Sequence, residues 1–230
     1  MKDEIAEAYP ENFSLLEMEF DYFFYREQYD SARFTMDKIV EFMDTDVTDY
    51  ELFEPYMFMY LNAGWYDEAE NYISQNFTEI SSLENLSYYY LEDLALSSVL
   101  YDQQGKVEIA DRLAEATCED ILGYLSYEGD IKKEIVQDLM DLMDCRAVQK
   151  NESEVLKMLE EIHFERGSKA NLYTFLDANP VYDFIKEKRE YRELRDRMEA
   201  DIASMRNNAI GWLQDQGKWQ SNWEIFIPKY

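Results

Sequence analysis

Glycine and proline are scarce in this chain, seven and four among 230 residues, which disfavours a turn-rich all-β fold and favours helices. No apolar run approaches the roughly 18 to 20 residues that a membrane helix needs. The opening "MKDEIAEAYP" lacks the apolar core of a signal peptide, so the expectation is a soluble, unexported chain with no membrane insertion. Basic side chains are few: 22 Lys and Arg stand against 50 Asp and Glu, a formal charge of −28. Such a chain has little with which to hold phosphates, so direct nucleic-acid binding is not expected. The acidic surplus has two readings, a solvated surface or a surface that captures a basic partner.

Chemistry-bearing motifs are missing as well. His163 is the one histidine, which rules out a multi-histidine metal site. It closes the apolar stripe "VLKMLEEIH" near a helix end, where a partly buried or capping role fits better than catalysis. Cys118 and Cys145 show no CxxC spacing; buried free thiols fit them better than a disulfide, and the redox compartment stays open. No HExxH, GxGxxG, GxxxxGK or GxSxG is present, so no metal, phosphate-cradling or nucleophile motif is visible. Fifty acidic residues generate carboxylate pairs everywhere, so such pairs carry no information about acid–base catalysis. "DTDVTDYE", from Asp44 to Glu51, has the oxygens of a calcium loop without its glycine, and a helix cap explains it better. The expectation is a protein without cofactor, metal or catalytic residues.

What the chain does have is apolar mass and repetition. Apolar residues reach 47% and aromatics 16%, enough for a sizeable core in one extended domain or two small ones. "REQYDSARFTMDKIVEFM", "GWYDEAENYISQNF" and "GKVEIADRLAEAT" each lead from a turn into an acidic helix start. A small residue follows (Ala32, Ala69, Ala110), with Met36, Ile73 and Ala114 four places on. Ala32 to Ala69 is 37 residues and Ala69 to Ala110 is 41. A weaker fourth copy is "KNESEVLKMLEEI", where Asn151 stands for the glycine and Val155, Leu159 and Ile162 form the stripe. Ser14 with Glu17, Thr48 with Glu51 and Ser81 with Glu84 fit capping boxes ahead of the first helix of each pair. Those first helices carry Leu16, Phe20, Phe23 and Phe24; Phe53, Met57, Tyr60 and Leu61; and Leu91, Leu94, Ser98 and Tyr101 at four-three spacing. Core packing accounts for these aromatics. Pro55 requires its helix to begin beside it or to kink there.

One helix pair of about 34 residues stacked on the next resembles the tetratricopeptide family over roughly residues 12–165. The matching residues are Ala32, Ala69 and Ala110, the turn glycines Gly64 and Gly105, and Phe23, Tyr60 and Tyr101 closing the first helices. The family's first-helix tryptophan and closing proline are absent, and the third and fourth units are overlong. The resemblance implies an all-α, right-handed superhelix of stacked antiparallel helix pairs. Residues 1–11 are then a lead-in, 12–165 the repeats, and 166–230 a helical cap with an aromatic tail. Within that last block a long helix is expected from about Glu187 to Gln214, ending near Gly217. Asn179-Pro180-Val181-Tyr182-Asp183, with Tyr191, Leu194 and Arg197, resembles the end of tetratricopeptide segments in bacterial signalling proteins. There such segments follow a winged-helix DNA-binding domain and a membrane helix, or a class III adenylate cyclase domain. That resemblance implies a cytoplasmic or periplasmic regulatory part of a larger chain.

In the resembled family the first helices line a concave groove that binds an extended peptide or partner helix. The matching positions here are Glu17, Asp21, Tyr25, Glu51, Glu54, Phe58, Asn62, Ala95, Val99, Asp102 and Gln103. The set is acidic at one end and apolar in the middle, which suits a partner with basic residues flanking an apolar anchor. The same positions can equally be solvated or covered by the C-terminal block. The alternative function is a homodimer built through Trp219, Trp223 and Phe226.

Overall fold

Four times along the chain a helix stops on a residue with left-handed backbone, and a second helix starts two residues later. The stops are Glu27 (φ 58°), Gly64 (71°), Gly105 (73°) and Lys150 (55°). The amide of the stop residue donates to the carbonyl three back, and the next amide reaches five back. Thus Gly64 donates to Leu61 at 3.1 Å and Trp65 to Tyr60 at 2.8 Å; Lys150 donates to Ala147 at 2.8 Å and Asn151 to Arg146 at 2.9 Å. This pairing satisfies carbonyls that the helix end would otherwise leave bare. The residue five after each stop is buried: Ala32, Ala69, Ala110 and Val155. The repeat read from the sequence is therefore a repeated backbone geometry. In its fourth copy Lys150, and not Asn151, takes the glycine position, while Asn151 caps the new helix by accepting from Glu154 N–H.

The computed structural model describes residues 13–43, 52–86, 91–127, 136–166 and 176–218. These are helical, with no strand among them. Helices α1 (Phe13–Phe24) and α2 (Tyr29–Met43) form the first hairpin. Helices α3 (Phe53–Ala63) and α4 (Tyr66–Asn76) form the second, followed by the short α5 (Thr78–Ser82). The third pairs α6 (Leu91–Gln103) with α7 (Val107–Tyr127). The fourth pairs α8 (Val136–Val148) with α9 (Glu152–Glu160), which runs into a π-helical turn, Glu161–Glu165. A 3₁₀ turn (Pro180–Tyr182), α10 (Asp183–Lys186) and the long α11 (Arg189–Asp215) follow. Within each hairpin the two helices pack together, and α3 touches α6 as α6 touches α8, so successive hairpins are neighbours in space.

The apolar stripes become one core. Phe53, Met57, Leu94, Leu100, Val155 and Leu159 are all buried at its centre. In the second hairpin the aromatics pack on one another: the rings of Phe53 and Phe77 meet edge-on at 4.8 Å, and those of Tyr56 and Tyr72 lie 5.1 Å apart. Ion pairs tie hairpins together at their turns. Lys106 Nζ reaches Glu70 at 2.5 Å, and Lys150 Nζ reaches Asp102 at 2.8 Å.

Several expectations are corrected. Ser81 lies inside α5, its hydroxyl donating to Thr78 C=O at 2.9 Å, and Leu83 stops that helix with φ 60°, so this stretch ends a helix instead of capping a new one. Ser14 stands inside α1, which already begins at Phe13. The pair Thr48 and Glu51, and the whole Asp44–Glu51 stretch, lie outside the described residues. Pro55 sits in the first turn of α3, where its missing N–H costs nothing. Cys118 and Cys145 are buried but joined in a disulfide between α7 and α8, with Cα atoms 5.0 Å apart. Hairpin stacking brings the two within bridging distance.

Candidate functional site

The face formed by α3, α6 and α8 is not empty. Residues 176–186 cross it, and the Pro180–Tyr182 turn packs against all three helices. Local chemistry dictates the entry. Asn179 precedes a proline, which disfavours helical backbone, and it is extended at φ −84°, ψ 113°. Its side chain accepts from Val181 N–H at 2.9 Å, while Pro180 occupies the first helical position. Asn62 of α3 pins the segment by donating to Ala178 C=O at 2.9 Å. At the other end Tyr182 donates its hydroxyl to Asp144 of α8. Both are buried, and burial pushes the Asp144 carboxyl up to about 8, with Glu92, Asp141 and Glu54 adding to the rise.

Leu176, Val181, Tyr182 and Ile185 are all buried in this segment. At about 1.5–3 kcal/mol for each buried side chain, removing it would cost roughly 6–12 kcal/mol. A micromolar peptide supplies about 8 kcal/mol. An ordinary ligand would therefore spend its whole affinity displacing the segment. It is a fixed part of the face.

Two cavities among the described residues flank it. One, of about 240 Å³, lies between α1 and α3, with Ala178 in its wall. The other, of about 740 Å³, lies where the third and fourth hairpins meet, bounded by Val99, Ala114, Val148 and Phe184. The eleven positions named from the sequence divide accordingly. Asp21, Tyr25, Glu54 and Phe58 line the smaller cavity. Val99, Asp102 and Gln103 line the larger one, where Asp102 is already engaged by Lys150. The half-buried Asn62 spends its side-chain amide on the segment, and Ala95 is buried completely. Glu17 is exposed on α1 but lines neither cavity, and Glu51 lies outside the described residues. Phe20, Phe24 and Pro55 also line the smaller cavity. The first two were legible as part of an apolar stripe, but which side chains bound a cavity depends on how α1 meets α3.

The smaller cavity has an uncommon electrostatic character. Burial raises the carboxyls of Asp21 and Glu54 above their ordinary values, and Glu92 adds to the rise at Glu54. At the larger cavity, Lys150 and Asp102 supply charge of both signs.

His163 is completely buried in the π-helical turn, deeper than its position in the sequence implied. Its Nε2 lies 3.2 Å from Asp201 Oδ2 on α11, and its ring meets Phe164 edge-on at 4.6 Å. It joins the fourth hairpin to the long helix, away from both cavities. Trp219, Trp223 and Phe226 lie outside the described residues. No helix among those described is long and apolar enough to cross a membrane. No family model matches this chain, and no curated protein or solved structure does either.

Proposed function

We propose that this chain is a non-catalytic interaction domain, a tetratricopeptide-like right-handed array. It binds a partner polypeptide on the face made by its first helices. The observation that carries this reading is convergence: side chains from α1 and α3 meet around one cavity, and side chains from α6, α7 and α8 around another. Both cavities share the 178–184 stretch as a wall, so a partner in extended conformation would run alongside that segment. The charge of −28 favours a partner with basic residues beside an apolar anchor. As the resemblance of residues 179–183 implies, such a domain serves as the regulatory part of a bacterial signalling protein.

Selection from a random peptide display library tests this. Enriched peptides should pair Lys or Arg with an apolar residue and bind the purified chain in solution. Failure to enrich any peptide that binds in solution would contradict the reading.

A second reading, self-association, draws on α11. Its first half buries Tyr191, Leu194 and Met198, whereas Met205 and Trp212 farther along are 49% and 58% exposed. A concentration-dependent dimer in sedimentation velocity, abolished by Trp212→Glu, would support it; a monomer throughout would remove it.

A further inference from the structure

The smaller cavity is built from two acid–aromatic pairs, each one helical turn apart. Asp21 stands in the last turn of α1 with Tyr25 just past its end, and Glu54 and Phe58 project from α3. Phe20 and Phe24 join the wall, their rings stacked at 5.7 Å and 12°, with Tyr25 edge-on to Phe24 at 5.4 Å. No lysine or arginine is among the described residues lining it. Neither carboxylate takes part in a hydrogen bond or ion pair among the described residues. Glu54 is half-buried and loses part of its hydration, with Glu92 adding to the charge around it, while Asp21 stands exposed at the cavity's edge. A bound cation would offset the lost hydration of Glu54 and meet Asp21 beside it.

The cavity's chemistry selects among cations. A hydrated divalent ion wants six or more oxygen ligands, and this cavity offers two carboxylates among rings. An ammonium group is compact and strongly hydrated, so apolar walls would strip water it holds tightly. A guanidinium is planar and weakly hydrated; it stacks on aromatic faces and carries five N–H donors, enough for two carboxylates. We propose that the cavity between α1 and α3 is a subsite for an arginine side chain of the partner, held by Asp21 and Glu54 and stacked among Phe20, Phe24, Tyr25 and Phe58. This rests on the interaction-domain reading and names the group that one end of the face recognises.

The test uses the full chain and three acetylated, amidated tripeptides, Leu-Arg-Leu, Leu-Lys-Leu and Leu-citrulline-Leu, titrated by NMR with amide shifts followed in α1 and α3. Citrulline keeps the shape of arginine and removes its charge. The arginine peptide should bind at least about tenfold more tightly than the citrulline peptide, and more tightly than the lysine peptide. The double variant Asp21→Asn with Glu54→Gln should reduce the arginine-over-citrulline preference below about twofold. Its melting temperature should hold or rise, because the half-buried Glu54 no longer carries a charge. Tyr25→Ala should weaken the arginine peptide alone. No binding of the arginine peptide, equal binding of the citrulline or lysine peptide, or an undiminished preference in the double variant would each overturn the assignment. A library-selected peptide that binds wild type and double variant equally would overturn this subsite and leave the interaction domain standing. Absence of any selected peptide would end both.

Discussion

Left-handed backbone is where single residues govern this fold. Gly64 and Gly105 occupy it without a Cβ penalty, while Glu27 and Lys150 occupy the same position at a steric cost of about 1–2 kcal/mol. Gly64→Ala should therefore destabilise by about 1 kcal/mol in urea denaturation. Glu27→Gly should be neutral or stabilise by about 0.5 kcal/mol, the relief being partly offset by the added freedom of the unfolded chain. Equal effects of the two changes would contradict the shared geometry. The glycine positions were legible in the sequence; the left-handed Lys150 was not, because its conformation is imposed by the helices it joins.

Asp144 is the second residue with a measurable consequence. Its carboxyl is pushed from an ordinary value of 3.8 to about 8 by burial, so the folded chain holds a proton there that the unfolded chain releases. The contribution to stability is whole below about pH 4 and is lost as pH rises through about 8. Asp144→Asn removes that titration and keeps an acceptor for Tyr182. Wild type should therefore lose stability relative to the variant between about pH 4 and pH 8, by on the order of 1 kcal/mol per pH unit. Parallel pH profiles would contradict a protonated Asp144.

At the scale of elements, what could be read from the sequence was what depends on short spacing. The expected helix from Glu187 to Gln214 is found as Arg189–Asp215, since its apolar stripe and Gly217 are local signals. Ser81 and Glu84 misled because acidic residues are common enough here to complete a capping pattern at a helix end. The 176–186 segment shows the limit more clearly. Asn179 and Pro180 announce a helix start, but nothing local says that this start is pressed against α3, α6 and α8. The same holds for Cys118 and Cys145, whose spacing sets no geometry until α7 and α8 pack. The disulfide closes a loop with a sequence separation of 27, so reducing it should cost about 3.5 kcal/mol and lower the melting temperature. Mass spectrometry without reductant should find no alkylatable thiol, and two free thiols would contradict the pairing.

For the whole molecule, the proposed use draws on architecture and charge together. Paired helices place their first members side by side, a segment of the chain occupies the middle of the face they make, and a cavity is left on each flank. Among the described residues many basic side chains sit in internal pairs, such as Arg146 with Glu154, Arg166 with Glu161 and Arg197 with Glu160, and the 50 acidic residues of the sequence far outnumber its 22 basic ones. That surplus makes salt the decisive variable. A peptide selected from the library should be titrated calorimetrically against the full chain at about 10 mM and at about 0.5 M sodium chloride, where the electrostatic range shrinks from roughly 30 Å to a few ångströms. Capture of a basic partner predicts an affinity at least about tenfold weaker at the higher salt. An affinity that does not change with salt would contradict the claim that this face recognises a partner through its charge.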